Sequence, residues 1–179
     1  MIPNDIANFE LTILPHLDAA YNFARWLTRN NEDAADIVQE ACLRAMKYYN
    51  SYRGGDGRAW LFTIIRNIFY TRNDSESKSQ SVIDRNFNPV DLISYESNPE
   101  LIYQQNENKE MLHKALELLP VEFREIIILR ELEGLDYKEI ANIAEIPIGT
   151  VMSRLSRGRK ILSNYLVKYY KKEGLNGMQ

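Results

Sequence analysis

The sequence is poor in the residues from which covalent, metal-dependent and membrane chemistry is built. Its one cysteine, Cys42, cannot close an internal disulfide. His16 and His113 stand far apart in the sequence, so no Cys/His cluster at metal-ligand spacing arises. No glycine-rich phosphate loop and no nucleophile with an adjacent base can be assembled. These absences predict a chain that is not an enzyme, with no catalytic residue, no metal, no cofactor and no small-molecule substrate. No stretch approaches the roughly 18 uninterrupted apolar residues of a spanning helix. "MIPNDIANFE" lacks the basic start and apolar run of a secretory leader. A soluble, cytoplasmic protein with no direct membrane insertion is expected.

Acidic residues are scarcest in the C-terminal part of the chain. The segment "IPIGTVMSRLSRGRK", residues 146–160, has none, while Arg154, Arg157, Arg159 and Lys160 lie within it. Residues 147–179 hold seven Lys and Arg against one acid, although the whole chain carries a net charge of -3. A nucleic-acid reader gathers basic groups on one surface whatever the sign of the total. The distribution therefore says more than the net charge.

Helical periodicity dominates. Ala34, Ile37, Val38, Ala41, Cys42, Ala45, Met46 and Tyr49 recur at three-and-four spacing and predict an amphipathic helix over 34–49. The opposite face reads Asp33, Asp36, Glu40, Leu43 and Lys47. The glycine-rich "NSYRGGDGR" ends that helix. "AWLFTIIRNIFYTR" then starts another, burying Leu61, Ile64, Ile65 and Ile68, with Trp60, Thr63, Arg66, Asn67 and Tyr70 around the far side. From Asn73 to about Pro99 the chain is polar and serine-rich and contains prolines, the composition of a linker, with a short apolar piece at 90–95. Helical order returns before Pro120, with Leu112, Ala115, Leu116 and Leu119 on one face, and a further helix ends at Gly134. The fold expected is all-α, two small helical units on a flexible tether.

"DYKE", residues 136–139, fits a capping box in which Asp136 accepts from backbone donors and Glu139 reaches back. Ile140, Ile143 and Ala144 form the buried face of a short helix. A turn follows at 145–147, and Pro147 suits the first turn of the next helix, because its missing donor would have no partner there. Val151, Leu155, Gly158 and Leu162 point one way from that helix, and Ser153, Ser156, Arg157 and Lys160 the other. The arrangement is a helix-turn-helix whose second helix can lie in the major groove. A solvated surface helix is the plainer reading of the same basic run.

At this point the chain resembles a family. "EIIILRELEGLDYKEIANIAEIPIGTVMSRLSRGRKIL" is similar to region 4 of bacterial sigma-70 family initiation factors, in particular the small extracytoplasmic-function (ECF, group IV) class. "DAADIVQEACLRAM" resembles their region 2.2 and "AWLFTIIRNIFYTR" their regions 2.3–2.4. The resemblance implies residues 1–72 as region 2, 73–98 as a linker and 99–179 as region 4. It implies that Asp33, Asp36, Gln39 and Glu40 contact core RNA polymerase, an assembly involving its largest and second-largest subunits. It implies a flipped-base pocket for the promoter -10 element near the 50–58 loop, with Arg53, Arg58, Trp60, Thr63, Arg66, Asn67 and Tyr70 as contacts. Trp60 suits a core position equally well. Thr150, Ser153, Arg154, Ser156, Arg157, Arg159 and Lys160 become the contacts to the duplex -35 element. Met152 departs from the arginine frequent there, and Ile146 lacks the hydroxyl of a helix cap. An anti-sigma factor is an implied partner, and the linker is expected near the RNA exit path.

Two other functions compete at this level. A nuclease or phosphotransferase would use Asp33, Asp36 and Glu40 as metal ligands, but they share one helix face with nothing to complete a site. A dimeric helix-turn-helix regulator would bind duplex DNA unaided, on half-sites related by two-fold symmetry.

Overall fold

The computed structural model describes residues 3–79 and 104–176, with side chains described within 8–74 and 110–170. Every regular element among the described residues is helical, as the periodicity predicts. The first unit holds α1 (Pro3–Ile13), α2 (Leu17–Thr28), α3 (Asn31–Tyr48) and α4 (Gly57–Ser79). The second holds α5 (Gln104–Glu117), α6 (Val121–Ile127), α7 (Tyr137–Ala144) and α8 (Ile148–Asn176). None of the described helices is long and apolar enough to cross a membrane.

Local chemistry sets the helix starts. Asn30, in extended backbone, accepts from the N–H groups of Glu32 at 2.8 Å and Asp33 at 3.1 Å and so opens α3. Asp56 opens α4 by accepting from the Arg58 N–H at 2.9 Å. The only acid between residues 44 and 72 is thereby used as a cap. Ahead of it, Gly54 and Gly55 turn the chain at φ 83° and 105°, a region that side-chain-bearing residues rarely adopt.

Small residues let α3 lie close to its neighbours. Ala34, Ile37, Ala41 and Ala45 are buried against α2 and α4. Met46, expected on that face, is instead 41% exposed, because the 34–37–41–45 stripe carries it about 100° past the buried line. Leu112 of α5 departs in the same way at 44% exposure, while Met111, Ala115, Leu116 and Leu119 are buried. Helix α4 buries Phe62 and Phe69 in addition to Leu61, Ile65 and Ile68, and Ile64 is only half-buried. It packs on α2 and α3 and also on α7, so a single apolar stripe would not suffice.

The linker composition begins at Asn73, yet α4 continues to Ser79. Its polar extension, "NDSESKS", contains neither glycine nor proline to stop it. The 90–95 piece and the tether itself lie outside the described residues. Beyond α6, a π-turn spans Ile128–Leu132, with the Glu133 N–H donating to Ile128 O at 3.1 Å.

The two units do not stand apart. One continuous apolar cluster runs from Phe9, Phe23 and Phe62 in the first through Ile126, Leu129 and Ile140 to Leu155 in the second. At the seam, Arg124 serves three carbonyls with its guanidinium, Glu117 O at 3.0 Å and Leu119 O at 3.2 Å in its own unit and Leu27 O at 3.2 Å across the seam. The first and last of these lie at the C-terminal ends of α5 and α2, where a cation complements the helix dipole. Arg29 adds a bond from its own guanidinium to Glu117 O at 3.1 Å. Trp26 and His113 stack with ring centroids 4.5 Å apart.

Inside the second unit, α6 and α8 nearly touch. A Cβ on Gly158 would lie 2.6 Å from Ile127 Cδ1 and 3.3 Å from Phe123 Cβ. A methyl group there would require the Ile127 side chain to move.

Candidate nucleic-acid interface

The helix-turn-helix is held by its predicted cap. Asp136 accepts from the N–H groups of Lys138 and Glu139, each at 2.8 Å, and Glu139 returns a carboxylate to the Asp136 N–H at 2.7 Å. Ile140, Ala141, Ile143 and Ala144 bury α7. Glu145 makes the turn in the left-handed region at φ 54°, its N–H bonded to Ala141 O. Pro147 is not inside α8, as the sequence suggests, but occupies the preceding cap position. Its carbonyl accepts from Thr150 N at 2.8 Å and Val151 N at 3.1 Å.

Val151, Leu155 and Gly158 bury one side of α8, with Leu162 half-buried. Met152, Ser153, Ser156, Arg157, Arg159 and Lys160 are exposed on the remainder. Thr150 is half-buried at the helix start, and the Ser153 hydroxyl donates to Thr150 O at 3.0 Å. Two of the arginines assigned to the -35 face differ from the rest. Arg154 is half-buried, its Nη1 3.6 Å from Glu125 Oε1. Arg159 donates from Nε to Glu131 Oε1 at 3.1 Å, and that partner raises its pKa further.

In the first unit an aromatic wall backs the 50–58 loop. Tyr49 and Tyr52 stack at 5.7 Å, Tyr52 and Trp60 meet at 4.8 Å, and Phe9 meets Tyr49 edge-on at 5.5 Å. Trp60 is half-buried in this wall, so both readings of it hold in part. Tyr49 and Tyr52 are members that the sequence reading did not single out. Their signal was the spacing of aromatics ahead of the glycines. The Tyr52 hydroxyl donates to Gly55 O at 2.6 Å and pins the loop.

The residues assigned to the -10 element divide into two groups. Arg53 and Asn67 are exposed, and the half-buried Thr63 donates its hydroxyl to Ala59 O at 3.0 Å. Arg58, Arg66 and Tyr70 instead face acids of the second unit. Arg58 Nη1 lies 3.6 Å from Glu133 Oε2. Arg66 Nε and the Tyr70 hydroxyl each donate to Glu125 Oε2 at 3.1 Å, and the Arg66 guanidinium lies over the Tyr70 ring at 4.6 Å. Glu125 has 0% of its side chain exposed. Burial lifts its carboxyl above the ordinary value against the pull of Arg66, Tyr70 and Arg154. Glu133 is raised likewise, by burial against Arg58.

On α3, Asp33, Asp36 and Gln39 are exposed, whereas Glu40 is half-buried between Arg44 and Arg72. The hydrogen bond from Arg72 is the main reason its carboxyl is held below the usual range. No group of three or more His, Cys, Asp or Glu suited to a metal ion occurs among the described residues.

A capped helix-turn-helix with a basic outward face, joined to a helical unit with its own basic and aromatic surface, defines a two-unit DNA-binding protein of the helix-turn-helix class. The family described as Sigma-70 region 2 matches residues 12–78, and Sigma-70, region 4 matches residues 109–162. The chain is 34% identical to the ECF RNA polymerase sigma-E factor of Escherichia coli, over 74% of this chain and 73% of that protein. It is 34% identical to the ECF RNA polymerase sigma factor SigE of Mycolicibacterium smegmatis, over 86% of this chain but only 60% of that protein. Among solved structures it is similar to the sigma factor RpoE of Bartonella quintana, in complex with the anti-sigma factor NepR. That match has a TM-score of 0.69 and 30% identity, over 89% of this chain and 96% of the other. The chain belongs to the sigma-70 family, in its ECF class.

Proposed function

We propose that the chain is a promoter-specific initiation factor that joins core RNA polymerase and is not itself catalytic. Helix α3 presents Asp33, Asp36, Gln39 and Glu40 to the core enzyme, an assembly involving its two largest subunits. The second unit reads the duplex -35 element with Thr150, Ser153, Arg154, Ser156, Arg157 and Arg159, and Lys160 meets phosphate. Once the strands part, the first unit holds the -10 element with Arg53, Arg58, Trp60, Thr63, Arg66, Asn67 and Tyr70. One observation carries this reading: a single chain couples a groove-reading helix to a second basic surface backed by stacked aromatic rings. Such rings bind unstacked bases, for which a regulator of duplex DNA has no use. The Bartonella quintana relative supports an anti-sigma protein as a further partner. The protein works in the cytoplasm, where polymerase is.

Run-off transcription with purified bacterial core enzyme on a genomic promoter pool, with and without the protein, tests the proposal. Starts at a few defined sites, present only with both components, are expected. No starts, together with tight binding of duplex DNA by the protein alone, would replace it with the dimeric regulator.

A further inference from the structure

The exposed basic residues of α8 stand in two positions around the helix. Val151, Leu155 and Gly158 form its buried line. At roughly 100° per residue, Arg157 and Lys160 lie more than about 120° from that line, and Arg159 lies within about 80° of it. Arg157 and Lys160 thus occupy the outward centre, and Arg159 one flank. A helix about 10–12 Å across fills a major groove about 12 Å wide, so its outward centre meets base edges and its flanks meet the phosphate walls.

Arg159 is also held in place. Glu131, from the π-turn at Ile128–Leu132, accepts through Oε1 from both Nε and Nη2 of its guanidinium. The chain beside that acid is fixed in turn: Arg130 donates from Nη1 to Leu135 O at 2.8 Å and lies over the Tyr137 ring at 4.9 Å. Such π-turns are frequent at functional sites. The Arg159 and Glu131 side chains are 52% and 47% exposed, and a pair so open to water adds little to stability. The pairing uses the Nε edge of the guanidinium and leaves Nη1 and the second Nη2 proton as a fork suited to phosphate oxygens.

We propose that Glu131 is a positioning residue that fixes Arg159 on the flank of α8 as a clamp for one phosphate of the -35 duplex. The inference rests on the proposed -35 role of α8. A contact to phosphate sets the register of a protein on the duplex without carrying sequence, which leaves base choice to the outward centre of the helix. A free arginine loses side-chain freedom on docking, and the pairing with Glu131 has removed that freedom beforehand. The same carboxylate repels the DNA backbone, so the gain from orientation exists only where Arg159 is present to be oriented.

The test uses the full chain assembled with core polymerase. It measures binding to a duplex spanning the -35 region of a promoter found by run-off transcription, and to its single-base-pair -35 variants. Glu131→Ala and Glu131→Gln make the same charge change, but Gln keeps an oxygen that accepts from Arg159. Glu131→Ala should weaken binding at least about threefold on every duplex with the order of preference kept, and Glu131→Gln should lose less. Arg159→Ala should weaken binding further and flatten the slope of log affinity against log salt by about 0.9. In that background Glu131→Ala should cause no additional loss. Thermal midpoints of all the variants should match the wild type, which separates orientation from folding. Tightening by Glu131→Ala, or an equal effect with and without Arg159, would make Glu131 a plain repelling charge and overturn the proposal. A changed preference at one base pair would make Arg159 a base reader and overturn the phosphate assignment. Equal binding of the wild type to every -35 variant would sink the -35 reading itself. A preference that Arg157→Ala relaxes, with no loss on changing Glu131, would sink the clamp alone.

Discussion

Arg124 offers the sharpest test of how the two units are joined. It is 3% exposed, and its guanidinium serves three carbonyls, one of them on α2 and two at the end of α5 and just beyond. Hydrogen bonds from a charged donor contribute about 1.5–3 kcal/mol each, and three would suggest a large loss on removal. Against this stands the cost of burying the cation: burial draws its pKa down to about 10, and its Nε has no hydrogen-bond partner. Replacement by Met fills similar space and avoids that cost, but it takes the Arg124 donor from Leu119 O and Leu27 O, while Glu117 O keeps the Arg29 guanidinium. The net destabilisation expected for Arg124→Met is about 2–5 kcal/mol, from about 1–3 kcal/mol for each of the two carbonyls that lose their donor. Arg124→Lys should recover only part of this, since a point-like ammonium on a shorter side chain lacks the fork that serves both α2 and α5. Urea unfolding followed by circular dichroism is the assay. With a slope of about 2 kcal/mol per molar, the midpoint should fall by roughly 2 M. A shift below about 0.5 M for Arg124→Met, or full recovery by Lys, would show that the guanidinium bridge contributes little.

Three further outcomes are expected. Asp136→Ala should lose the capping box and about 1 kcal/mol of stability, seen as a lower thermal midpoint, and Asp136→Ser should restore most of it. Replacing Asp36 and Glu40 together by Lys should impair co-elution with core polymerase while leaving the helical circular dichroism intact; normal co-elution would remove α3 as the docking face. The buried acids predict a pH dependence of definite sign. Glu125 and Glu133 bind protons more tightly when folded than the ordinary carboxyl value of 4.5, because burial outweighs their cationic partners. Between 4.5 and their raised values the folded chain holds more protons, so their contribution is complete below 4.5 and lost as pH rises through the folded values. Melting of wild type against Glu125→Gln/Glu133→Gln should therefore differ in slope over that window, the wild type losing more stability with rising pH. Parallel slopes would refute the assignment.

Most of the helices were legible because each has an apolar face repeating every three to four residues, and because Asp136, Pro120 and the glycines mark their ends with local chemistry. Periodicity judged less well which residues at the rim of a stripe are covered. Met46 and Leu112 read as core and lie outside, while Phe62 and Phe69 lie inside because α4 is packed on several sides. The seam between the units depends on pairings far apart in sequence, which no local pattern encodes. Arg66 and Tyr70 read as open to nucleic acid from their helix face and the family resemblance, and Arg58 from the resemblance alone. A clue was nevertheless present at Arg124 and Glu125. They sit between Phe123 and the run Ile126–Leu129, which leaves α6 no polar side for them to join. Charged residues on a helix that is apolar nearly all round must be buried and paired.

The contact at Gly158 has a consequence for how promoters are told apart. Because α8 rests there on Ile127 and Phe123 with no side chain of its own between, those two residues set how far the helix stands out from the body of the protein. On the proposed -35 role of α8, a change at Ile127 is expected to shift promoter preference without altering any residue proposed to touch a base.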